Sequence, residues 1–576
     1  MADPQEVLAE RVRAAVAAAL GPGHAGADPL IRPSSFADFQ SNAALPLARL
    51  LRRPPREVAQ EIAAHLDLAG VCDNAEVSGP GFINFTLADD WLAVQAAAQL
   101  ADPRLGAPAT DPSLKAVVDY SGPNVAKELH VGHLRATVVG DAVVRILEFL
   151  GQTVIRAAHL GDWGTPFGML IERTLDIGEE ATRATFAASE FTAFYQAARA
   201  QFDTNPAFAE RARSRVAKLQ AGDPQTLRLW RLLVEESMRY LTAIYSRLHI
   251  TLTSDDMAPE SFYNPMLADV CAELEEAGIA VISEGALCAF PPGFAGRDGA
   301  PIPLILRKSD GGYGYDTTDV AAIRYRLMDL KARRIIYVVG SEQSQHLQLV
   351  FAVARQAGWL TGEARAEHAV IGLVTGADGK RLKTRTGEQV KLVTLIDEAV
   401  QRAARVIADR YGDPGERDQI AEAVGIGALK YGDLSVARHS SYAFDFDRML
   451  ALTGNTGPYL QYAAARIRSI FRRGGLDPDR CTGPVQLTQD AERDLALAAL
   501  RFGRAVWGAA ETAEPHLLAN FLFDLASAFT AFYEQCPVLQ ADGAAVRASR
   551  LALSALTLRI LLTGLDLLGI PVPDRM

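Results

Sequence analysis

The clearest hydrophobic pattern in the chain lies between residues 115 and 165. An apolar run at residues 116–120, rich in β-branched side chains, predicts a buried strand, and Gly and Pro at 122–123 predict the turn that ends it. Apolar residues recur at steps of three and four from Val131 to Leu150, which predicts a helix ending at Gly151. With another strand predicted at 154–157, this unit is the building block of a parallel nucleotide-binding sheet.

The rest of the chain divides into segments of different pattern. Residues 1 to about 105 predict a small α+β module, with helices at 7–20, 56–66 and 89–101 and a strand and turn at 76–85. Residues 178–250 are mostly helical, most clearly at 186–202 and 224–248. Strands are predicted at 286–290, 303–306 and 335–339, with a loop at 311–319. Helices follow at 417–431, 453–473, 487–507, 515–536 and 547–568.

We therefore predict an α/β core whose Rossmann-like parallel sheet is split by a helical insertion. A small α+β domain precedes the core, and an all-α bundle follows it. The predicted boundaries are 1–108 for the N-terminal domain, 109–177 and 251–392 for the core, 178–250 for the insertion, 393–449 for a helical connector and 450–576 for the bundle. A length of 576 residues suits about three or four domains.

The composition is that of an ordinary globular protein, with 49% hydrophobic and 22% charged residues. No uninterrupted apolar stretch approaches the roughly 20 residues of a membrane span, and the acidic start MADPQEVLAE lacks a signal-peptide core. The five cysteines are scattered and never form a CxxC pair, which argues against a disulfide framework and a zinc site. We expect a cytoplasmic monomer with no membrane attachment and no dedicated metal site.

The formal net charge of -11 would never by itself suggest a nucleic-acid partner, although local patches decide binding more than the sum. Three basic groups are present, and each could equally be a solvated helix face. They are Arg52, Arg53 and Arg56; Arg211, Arg213, Arg215 and Lys218; and Arg466, Arg468, Arg472 and Arg473.

His130 and His133 stand at the predicted start of the helix that follows the first strand. Their spacing brings both imidazoles to one side of the first turn, and Gly132 removes a side chain that would keep a ligand from the backbone. The N–H groups and dipole of a helix N-terminus suit a triphosphate whose α-phosphorus is attacked by a carboxylate. A chance pair or half of a metal site would show the same spacing.

Two motifs resemble those of a known family. PNVAKELHVGH, residues 123–133, resembles the HIGH signature of class I aminoacyl-tRNA synthetases, in the extended form found in arginyl-tRNA synthetases. HLGDWGT, residues 159–165, is similar to the same family, and further similarities cover nearly all of the chain. The resemblance, to the bacterial type, implies that ATP and L-arginine form arginyl-adenylate and pyrophosphate. Arginine would then pass to the 3′ end of tRNA(Arg).

The resemblance also implies roles for the signature residues and for small ligands. His130, Gly132, His133 and Lys127 would stabilise the transition state, and Pro123 would join the two histidines and Gly132 in binding ATP. Mg2+ is implied by the ATP chemistry, although no dedicated ligand cage is visible in the sequence. Adenylate formation is expected to need bound tRNA.

The arginine-binding residues implied by the resemblance fall into two sets. The α-amino and α-carboxyl groups would be held by Asp119, Ser121, Asn124 and His159, which lie at predicted strand ends where ligands of open α/β sheets bind. The guanidinium would be held by Tyr315 and Asp319, with help from Gln343. A helix continuing through residues 317–324 would bring Tyr315 and Asp319 together. Without the resemblance, Asp119 could be a turn acid, and the Tyr315–Asp319 pair an ordinary surface feature.

The segment GADGKRLKTRTGEQVKL, residues 376–392, stands where the family has its KMSKS loop. It departs from that motif, because Thr384 replaces the second lysine, and the resemblance implies that Lys127 supplies the missing cation. We expect Lys383 and Arg385 to contact phosphate, with Lys380 as a further candidate. An exposed basic turn would be the alternative.

The remaining expectations concern RNA. The segment GPYLQYAAARI resembles the entry to a DALR-type anticodon-binding bundle, in which Tyr459, Tyr462 and Arg466 could stack on splayed bases or belong to the core. The N-terminal module resembles one that touches the outer corner of tRNA, which makes Arg52 and Arg53 candidates, although a packing domain would look alike.

Two rival functions share part of this pattern. Another HIGH-type nucleotidyltransferase, or a synthetase for another amino acid, would share His130 and His133 but would not explain Tyr315, Asp319 and Gln343. A catalytically dead RNA-binding relative would be expected to lose the signature histidines, and both are present.

Overall fold

The computed structural model describes residues 3–188, 190–382, 389–407 and 414–576. Its helices are α1 Pro4–Leu20, α2 Ala44–Leu51, α3 Pro55–Ala64, α4 Asp89–Ala101, α5 Val131–Phe149, α6 Thr165–Ile177, α7 Glu179–Ala187, α8 Phe191–Thr204, α9 Pro206–Gln220, α10 Pro224–Arg247, α11 Glu260–Tyr263, α12 Leu267–Glu276, α13 Tyr315–Arg324, α14 Ser344–Gln356, α15 Leu392–Ile407, α16 Pro414–Leu434, α17 Phe446–Met449, α18 Gly457–Gly474, α19 Asp490–Ala499, α20 Phe502–Thr512, α21 His516–Gln535 and α22 Ala544–Leu567. Its strands are β1 Ile31–Pro33, β2 Phe39–Ser41, β3 Cys72–Ser78, β4 Phe82–Leu87, β5 Ala116–Asp119, β6 Val154–Ala157, β7 Ala280–Ser283, β8 Ala286–Ala289, β9 Leu304–Arg307, β10 Arg334–Tyr337, β11 Arg365–His368, β12 Val374–Thr375 and β13 Tyr442–Ala443.

The predicted parallel sheet forms the centre of the chain. Its strands run in the order β11-β10-β5-β6, all parallel, and the register aligns Asp119 with Ala157 and Tyr337 at one edge. Helix α5 packs closely on this sheet, because a Cβ added at Gly140 would lie 2.3 Å from the Cβ of Tyr120. The carboxyl ends of these strands therefore open into a common space, as expected for a ligand-binding edge.

The N-terminal module is an antiparallel sheet, ordered β1-β2-β4-β3, covered by α1 and α3. Helix α1 begins three residues earlier than predicted, because Asp3 caps it and accepts hydrogen bonds from the Gln5 and Glu6 amides. The module therefore has the predicted α+β composition, with a sheet larger than the single strand and turn expected from sequence.

Two predicted strands do not join the parallel sheet. Residues 286–290 and 303–306 correspond to β8 and β9, which pair antiparallel with each other and, through β8, with β7 in a separate sheet. The prediction of a loop at 311–319 is wrong over its second half, because α13 begins at Tyr315. This helix places Tyr315 and Asp319 one turn apart. The sequence analysis expected that arrangement if a helix ran through residues 317–324.

Two predicted helices are each broken in the structure. Residues 186–202 belong to α7 and α8, whose aromatic side chains pack across the break, with ring centroids of Phe186 and Phe191 4.4 Å apart. Residues 487–507 belong to α19 and α20, and Leu497 and Leu500 at this junction join the core of the N-terminal module. At the first break apolar residues on either side pack together, and at the second they pack into the neighbouring module. Hydrophobic periodicity alone therefore does not show where each helix ends.

Helix α22 is the central element of the C-terminal bundle. Among the described residues it is the one helix long and apolar enough to cross a membrane, yet 78% of its most apolar stretch is buried inside the protein. It packs against α18, α19 and α21, and also against α4 and α5. The bundle is therefore built directly onto the parallel-sheet core.

Arg493 of α19 fastens the N-terminal module to the bundle. Its two terminal nitrogens donate to the carboxylate of Asp38 at 2.8 and 2.7 Å, its Nε donates to Asp89 at 2.7 Å, and Nη2 also reaches the Leu87 carbonyl at 2.9 Å. Asp38 is 8% exposed, and this guanidinium is its ion-pair partner.

Replacing Arg493 by Ala should lower the free energy of unfolding by about 3 kcal/mol, because the buried Asp38 carboxylate would lose its partner. Thermal unfolding followed by calorimetry measures the change. Asp89→Ala is the matched control: Asp89 is 52% exposed, so its loss should cost less than about 1 kcal/mol. Equal losses in the two variants would contradict the dependence of Asp38 on Arg493.

Candidate active site

A cavity of about 540 Å³ lies at the carboxyl edge of the parallel sheet. Segments that follow β5, β6, β10 and β11 line it, together with the start of α5 and part of α13. The predicted residues that line it are Asp119, Ser121, Asn124, His130, Gly132, His133, His159, Tyr315, Asp319 and Gln343. Pro123, Lys127 and Lys380 are not among its lining residues, and Lys383 and Arg385 lie outside the described residues.

His130 and His133 are held at the start of α5 by hydrogen bonds to the backbone. The Gly132 amide donates to Nδ1 of His130, and the His130 amide donates to Nδ1 of His133, each at 3.1 Å. Since both Nδ1 atoms accept, each neutral ring carries its proton on Nε2. Burial lowers the pKa of His130 and, with further help from His130, lowers that of His133 to about 3. Near neutral pH the pair is therefore two neutral Nε2–H donors.

Gly132 is required by the packing of these rings. A Cβ at this position would lie 2.9 Å from Cε1 of His130, whose ring centroid is 3.9 Å from that of His133. Any side chain at residue 132 would therefore push the His130 ring out of its position.

The described ends of the basic segment 376–391 flank the start of α5. Arg381 lines the cavity, and its backbone forms an antiparallel β-bridge with that of Thr375. At the other end, the Val131 amide donates to the Val390 carbonyl at 3.0 Å, and Lys391 pairs with the buried Glu128 at 2.8 Å. The described ends of the segment are thus anchored beside His130.

Lys127 is exposed and does not line the cavity. Its ammonium lies 4.7 Å from the ring centroid of Tyr195 on α8, in the helical insertion. This cation–π contact holds the side chain against the insertion.

Asp119 is paired with a buried arginine. Its Oδ2 accepts from Nη2 of Arg326 at 2.6 Å, and both side chains are at most 6% exposed. Burial opposes the charged form of Arg326, but Asp119 raises its pKa well above the ordinary value. Arg326 lies in a π-helical turn after α13, with its guanidinium 5.1 Å from the ring centroid of Tyr337. Asp119 therefore faces the cavity with one oxygen already neutralised.

The first turn of α13 and the start of α14 form an acidic cluster with a cation inside it. Nε2 of His346 lies 2.6 Å from Oδ2 of Asp319, and Nδ1 lies 3.3 Å from Oδ1 of Asp316. Burial would lower the pKa of His346, but hydrogen bonds with the two carboxylates raise it to about 9. The Tyr315 ring, 62% exposed, stands 5.0 Å from the imidazole.

A further carboxyl group, Glu260 of α11, also lines the cavity. Burial, together with the charges of Asp162 and Asp319, raises its pKa to about 7. His159 lies 3.8 Å from Oδ1 of Asp319 and stacks on Tyr263. This side of the cavity is therefore strongly acidic.

Ser121 and Asn124 are fixed by their neighbours. The Ser121 hydroxyl shares a 2.7 Å hydrogen bond with the hydroxyl of Tyr245 on α10 and accepts from Thr137 at 2.9 Å. The backbone of Asn124 forms a parallel bridge with Gly161. The insertion therefore helps to shape the sheet edge through Tyr245.

Several residues of this site were not singled out from sequence. Arg381 belongs to the quoted segment 376–392, and His346 lies three residues after the predicted Gln343, so charge and position were the available signal. Nothing in the local pattern pointed to Glu260 or Arg326, because their relation to the cavity depends on tertiary contacts. Arg326, for example, meets Asp119 across 207 positions of sequence.

The basic groups have different surroundings in the structure. Arg211 and Arg215 both pair with Glu172, at 2.9 and 2.7 Å, so much of that group is already neutralised. Arg52 is exposed, whereas Arg53 pairs with Glu61 at 2.8 Å.

The predicted residues of the bundle lie on one helix, α18. Tyr459 and Tyr462 are half-buried, and Tyr459 packs 5.7 Å from the ring centroid of Phe523. Arg466 lies 4.3 Å from the ring centroid of Tyr533. These side chains form a partly open surface of aromatic rings and a cation.

The chain is similar to proteins of known family over its whole length. It matches the model for the catalytic domain of class I tRNA synthetases (R) over residues 95–446, the DALR anticodon binding domain over 460–576 and the arginyl tRNA synthetase N terminal domain over 6–87. It is 60% identical to the arginine–tRNA ligase of Thermobifida fusca, with 100% of both chains covered, and 51% identical to that of Frankia casuarinae, with 99% of both covered. Among solved structures it resembles arginyl-tRNA synthetases from Plasmodium falciparum (TM-score 0.84, 29% identity, 100% of both chains) and Thermus thermophilus (0.79, 26%, 99% of this chain and 100% of that one).

Arg326→Met should lower the midpoint of thermal unfolding by roughly 10 °C, because it leaves the buried Asp119 carboxylate without its partner. The double variant Asp119→Asn, Arg326→Met removes both charges and should recover most of that loss. Calorimetry on the two variants and on Asp119→Asn completes the cycle. If the loss in the double variant equals the sum of the losses in the two single variants, the ion pair is not the source of the effect.

Proposed function

The chain belongs to the arginyl-tRNA synthetases, and we propose that the cavity at the sheet edge performs both steps of its reaction. As an arginine–tRNA ligase it uses ATP to activate L-arginine and then esterifies tRNA(Arg). The observation that carries the assignment of the site is the meeting of the signature histidines and the Tyr315–Asp319 pair in one cavity.

The acidic side of the cavity is proposed to bind the substrate side chain. Asp319 would take the guanidinium through charge-assisted hydrogen bonds, and Tyr315 would cover its flat face. Glu260, which lines the same cavity, would contribute a further carboxyl group. Gln343 would add a neutral contact. A neutral or shorter side chain could not satisfy these carboxylates, and sites of this kind discriminate strongly.

The backbone groups of arginine are proposed to lie nearer the strand ends. Asp119 keeps one oxygen for the ammonium, since Arg326 takes the other. Ser121, Asn124 and His159 would complete the contacts to the amino and carboxyl groups. This orientation would direct the substrate carboxylate toward the start of α5.

At the start of α5, the arginine carboxylate would attack the α-phosphorus of ATP as pyrophosphate departs. The Nε2–H groups of His130 and His133 would donate to the phosphate oxygens on which charge accumulates. Gly132 would allow the close approach, and Pro123 belongs to the same loop. In the second step the terminal ribose hydroxyl of tRNA attacks the arginyl carbonyl and releases AMP.

The cations for the triphosphate are proposed to come from the basic segment. Arg381 is the described member that lines the cavity, and Lys380, Lys383 and Arg385 remain predictions from the motif. Lys127 would have to leave its contact with Tyr195 to take part.

Mg2+ is proposed to enter bound to the triphosphate as part of the substrate. Among the described residues no group of three or more His, Cys, Asp and Glu side chains is arranged to hold a metal ion, so this part of the chain offers no fitting cage. None of the roles proposed for the protein's residues requires a direct contact with the ion.

Contacts with tRNA are proposed at both ends of the chain. On α18, Tyr459, Tyr462 and Arg466 offer rings and a cation to unstacked bases. In the N-terminal module, Arg52 and Arg53 remain candidates, and Phe36, 87% exposed in the connection between β1 and β2, offers a further stacking surface.

For the domain boundaries, the oligomeric state and the cellular location, we propose what the sequence analysis expected. The domains would be residues 1–108, 109–177 with 251–392, 178–250, 393–449 and 450–576. The protein would act as a cytoplasmic monomer.

Asp319→Asn should raise the KM for arginine in aminoacylation by about one to two orders of magnitude, because a charge-assisted bond to the guanidinium is lost. Steady-state aminoacylation at saturating ATP and tRNA measures it. Asp329→Asn, an exposed carboxylate in the π-turn after α13, is the matched control and should leave that KM unchanged. An unchanged KM in Asp319→Asn would contradict the assignment.

Phe36→Ala should raise the KM for tRNA by roughly tenfold and leave the KM for arginine unchanged, because one stacking contact of about 1–3 kcal/mol is removed. Aminoacylation with tRNA as the varied substrate tests this. Leu50→Ala provides a control at a 69% exposed apolar side chain of the same module. The same loss in both variants would exclude a specific stacking role for Phe36.

A further inference from the structure

His346 fills the acidic cluster of the empty cavity. Its two ring nitrogens lie 2.6 Å from Asp319 and 3.3 Å from Asp316, so each faces a carboxylate oxygen. Both nitrogens carry hydrogen only in the imidazolium, which is therefore the form that satisfies both contacts. The side chain is 13% exposed, so solvent does little to replace these bonds.

The environment of His346 has the chemistry that a guanidinium requires. Both imidazolium and guanidinium are planar delocalised cations with N–H groups in the plane, and both bind carboxylates at their edges and aromatic rings at their faces. Asp316 and Asp319 supply the edges, and the Tyr315 ring stands 5.0 Å from the imidazole at 56°. Asp319 is also the residue proposed to bind the substrate guanidinium.

The other charged groups around this cluster are mostly acidic or already paired. They are Asp316, Asp319 and Tyr315 of α13, Glu260 of α11 beside Asp162, His159 after β6, Glu342 before α14, and Arg326 with its partner Asp119. Arg326 is already paired with Asp119. Without His346 the Asp316 carboxylate would lose this partner, and Asp319 would keep only His159 nearby, at 3.8 Å.

We propose that His346 is a placeholder cation: its imidazolium pairs with Asp316 and Asp319 while no substrate is bound and gives up its proton to solvent when the substrate guanidinium takes its place. The inference rests on the proposed function of this cavity. It makes His346 a residue that determines specificity by holding the charge that the correct substrate must replace.

The placeholder would discriminate by charge. A guanidinium that displaces the imidazolium restores the balance, because one cation replaces another. A neutral side chain of the same shape, such as the ureido group of citrulline, would leave two partly buried carboxylates unpaired. Unpaired buried charges are costly, so the neutral analogue is rejected.

The exchange links arginine binding to pH. The pKa of His346 is about 9 in the empty pocket, and an adjacent guanidinium would lower it. Since a proton is then released on binding, affinity for arginine rises as pH rises, by up to tenfold per unit. The rise ends above about pH 9, where His346 is neutral before arginine arrives. Glu260, with a pKa of about 7, contributes a separate release at lower pH.

Calorimetric titration of the full-length protein with arginine near pH 8, in phosphate and in Tris, measures the number of protons released. At this pH Glu260 is already ionised, so the count reports on His346. We expect about one proton for the wild type and for the remote control His65→Gln, and close to none for His346→Gln. Citrulline should neither bind measurably nor release protons.

Binding of arginine by the wild type with no proton release near pH 8 would overturn the proposal, even if His346→Gln failed to fold. Equal release by wild type and His346→Gln would also overturn it. The pocket assignment is tested separately, since Asp319→Asn should lose arginine affinity. If Asp319→Asn binds arginine as tightly as the wild type, the proposed pocket itself is wrong, and the placeholder with it.

Discussion

A pocket for a cationic substrate must contain carboxylates, and carboxylates at the edge of a buried sheet must be neutralised while the pocket is empty. In this protein a buried arginine and a protonated histidine meet the requirement. Arg326 pairs with Asp119 at 2.6 Å beneath the strand ends, and His346 lies between Asp316 and Asp319. The parallel sheet and the helices α13 and α14 can pack closely there because each of these carboxylates has a cationic partner.

The same sheet edge brings the substrate pocket to the phosphate-binding start of α5. Parallel strands in register align their carboxyl ends, so residues far apart in sequence open into one cavity. Arg135, one turn into α5, ties this start to the rest of the molecule, with an ion pair to Asp433 at 3.3 Å and hydrogen bonds to the Ser440 and Ala437 carbonyls. The signature helix is thereby joined to the segment that precedes the bundle.

Local patterns predicted much of the fold because each element carries its own signal. Helix α4 has the predicted bounds of residues 89–101, and α5 ends one residue before its predicted end, with Gly151 at φ +89° after it. The failures came where tertiary contacts decide the outcome. The strand predicted at 286–290 is present, but its antiparallel partners were not predicted. The apolar period of residues 186–202 continues across a helix break.

The sequence predicted those residues of the candidate site that belong to a recognisable motif. The HVGH residues and the Tyr315–Asp319 pair could be named because their types and spacing are distinctive, and the cavity contains them. The charges that balance them could not be inferred in this way. Arg326 acts on Asp119 across 207 positions, and His346 acts on Asp319 across 27, so only the folded chain brings them together.

The most direct test of this account is the exchange of pyrophosphate into ATP, measured with arginine and with citrulline, each with and without tRNA(Arg). The account predicts exchange that requires both arginine and tRNA(Arg), and none with citrulline under any condition. Exchange supported by citrulline at a comparable rate would contradict a pocket governed by charge replacement. No exchange with arginine and tRNA(Arg), from a folded protein that binds both, would contradict the assignment of the cavity as the active site.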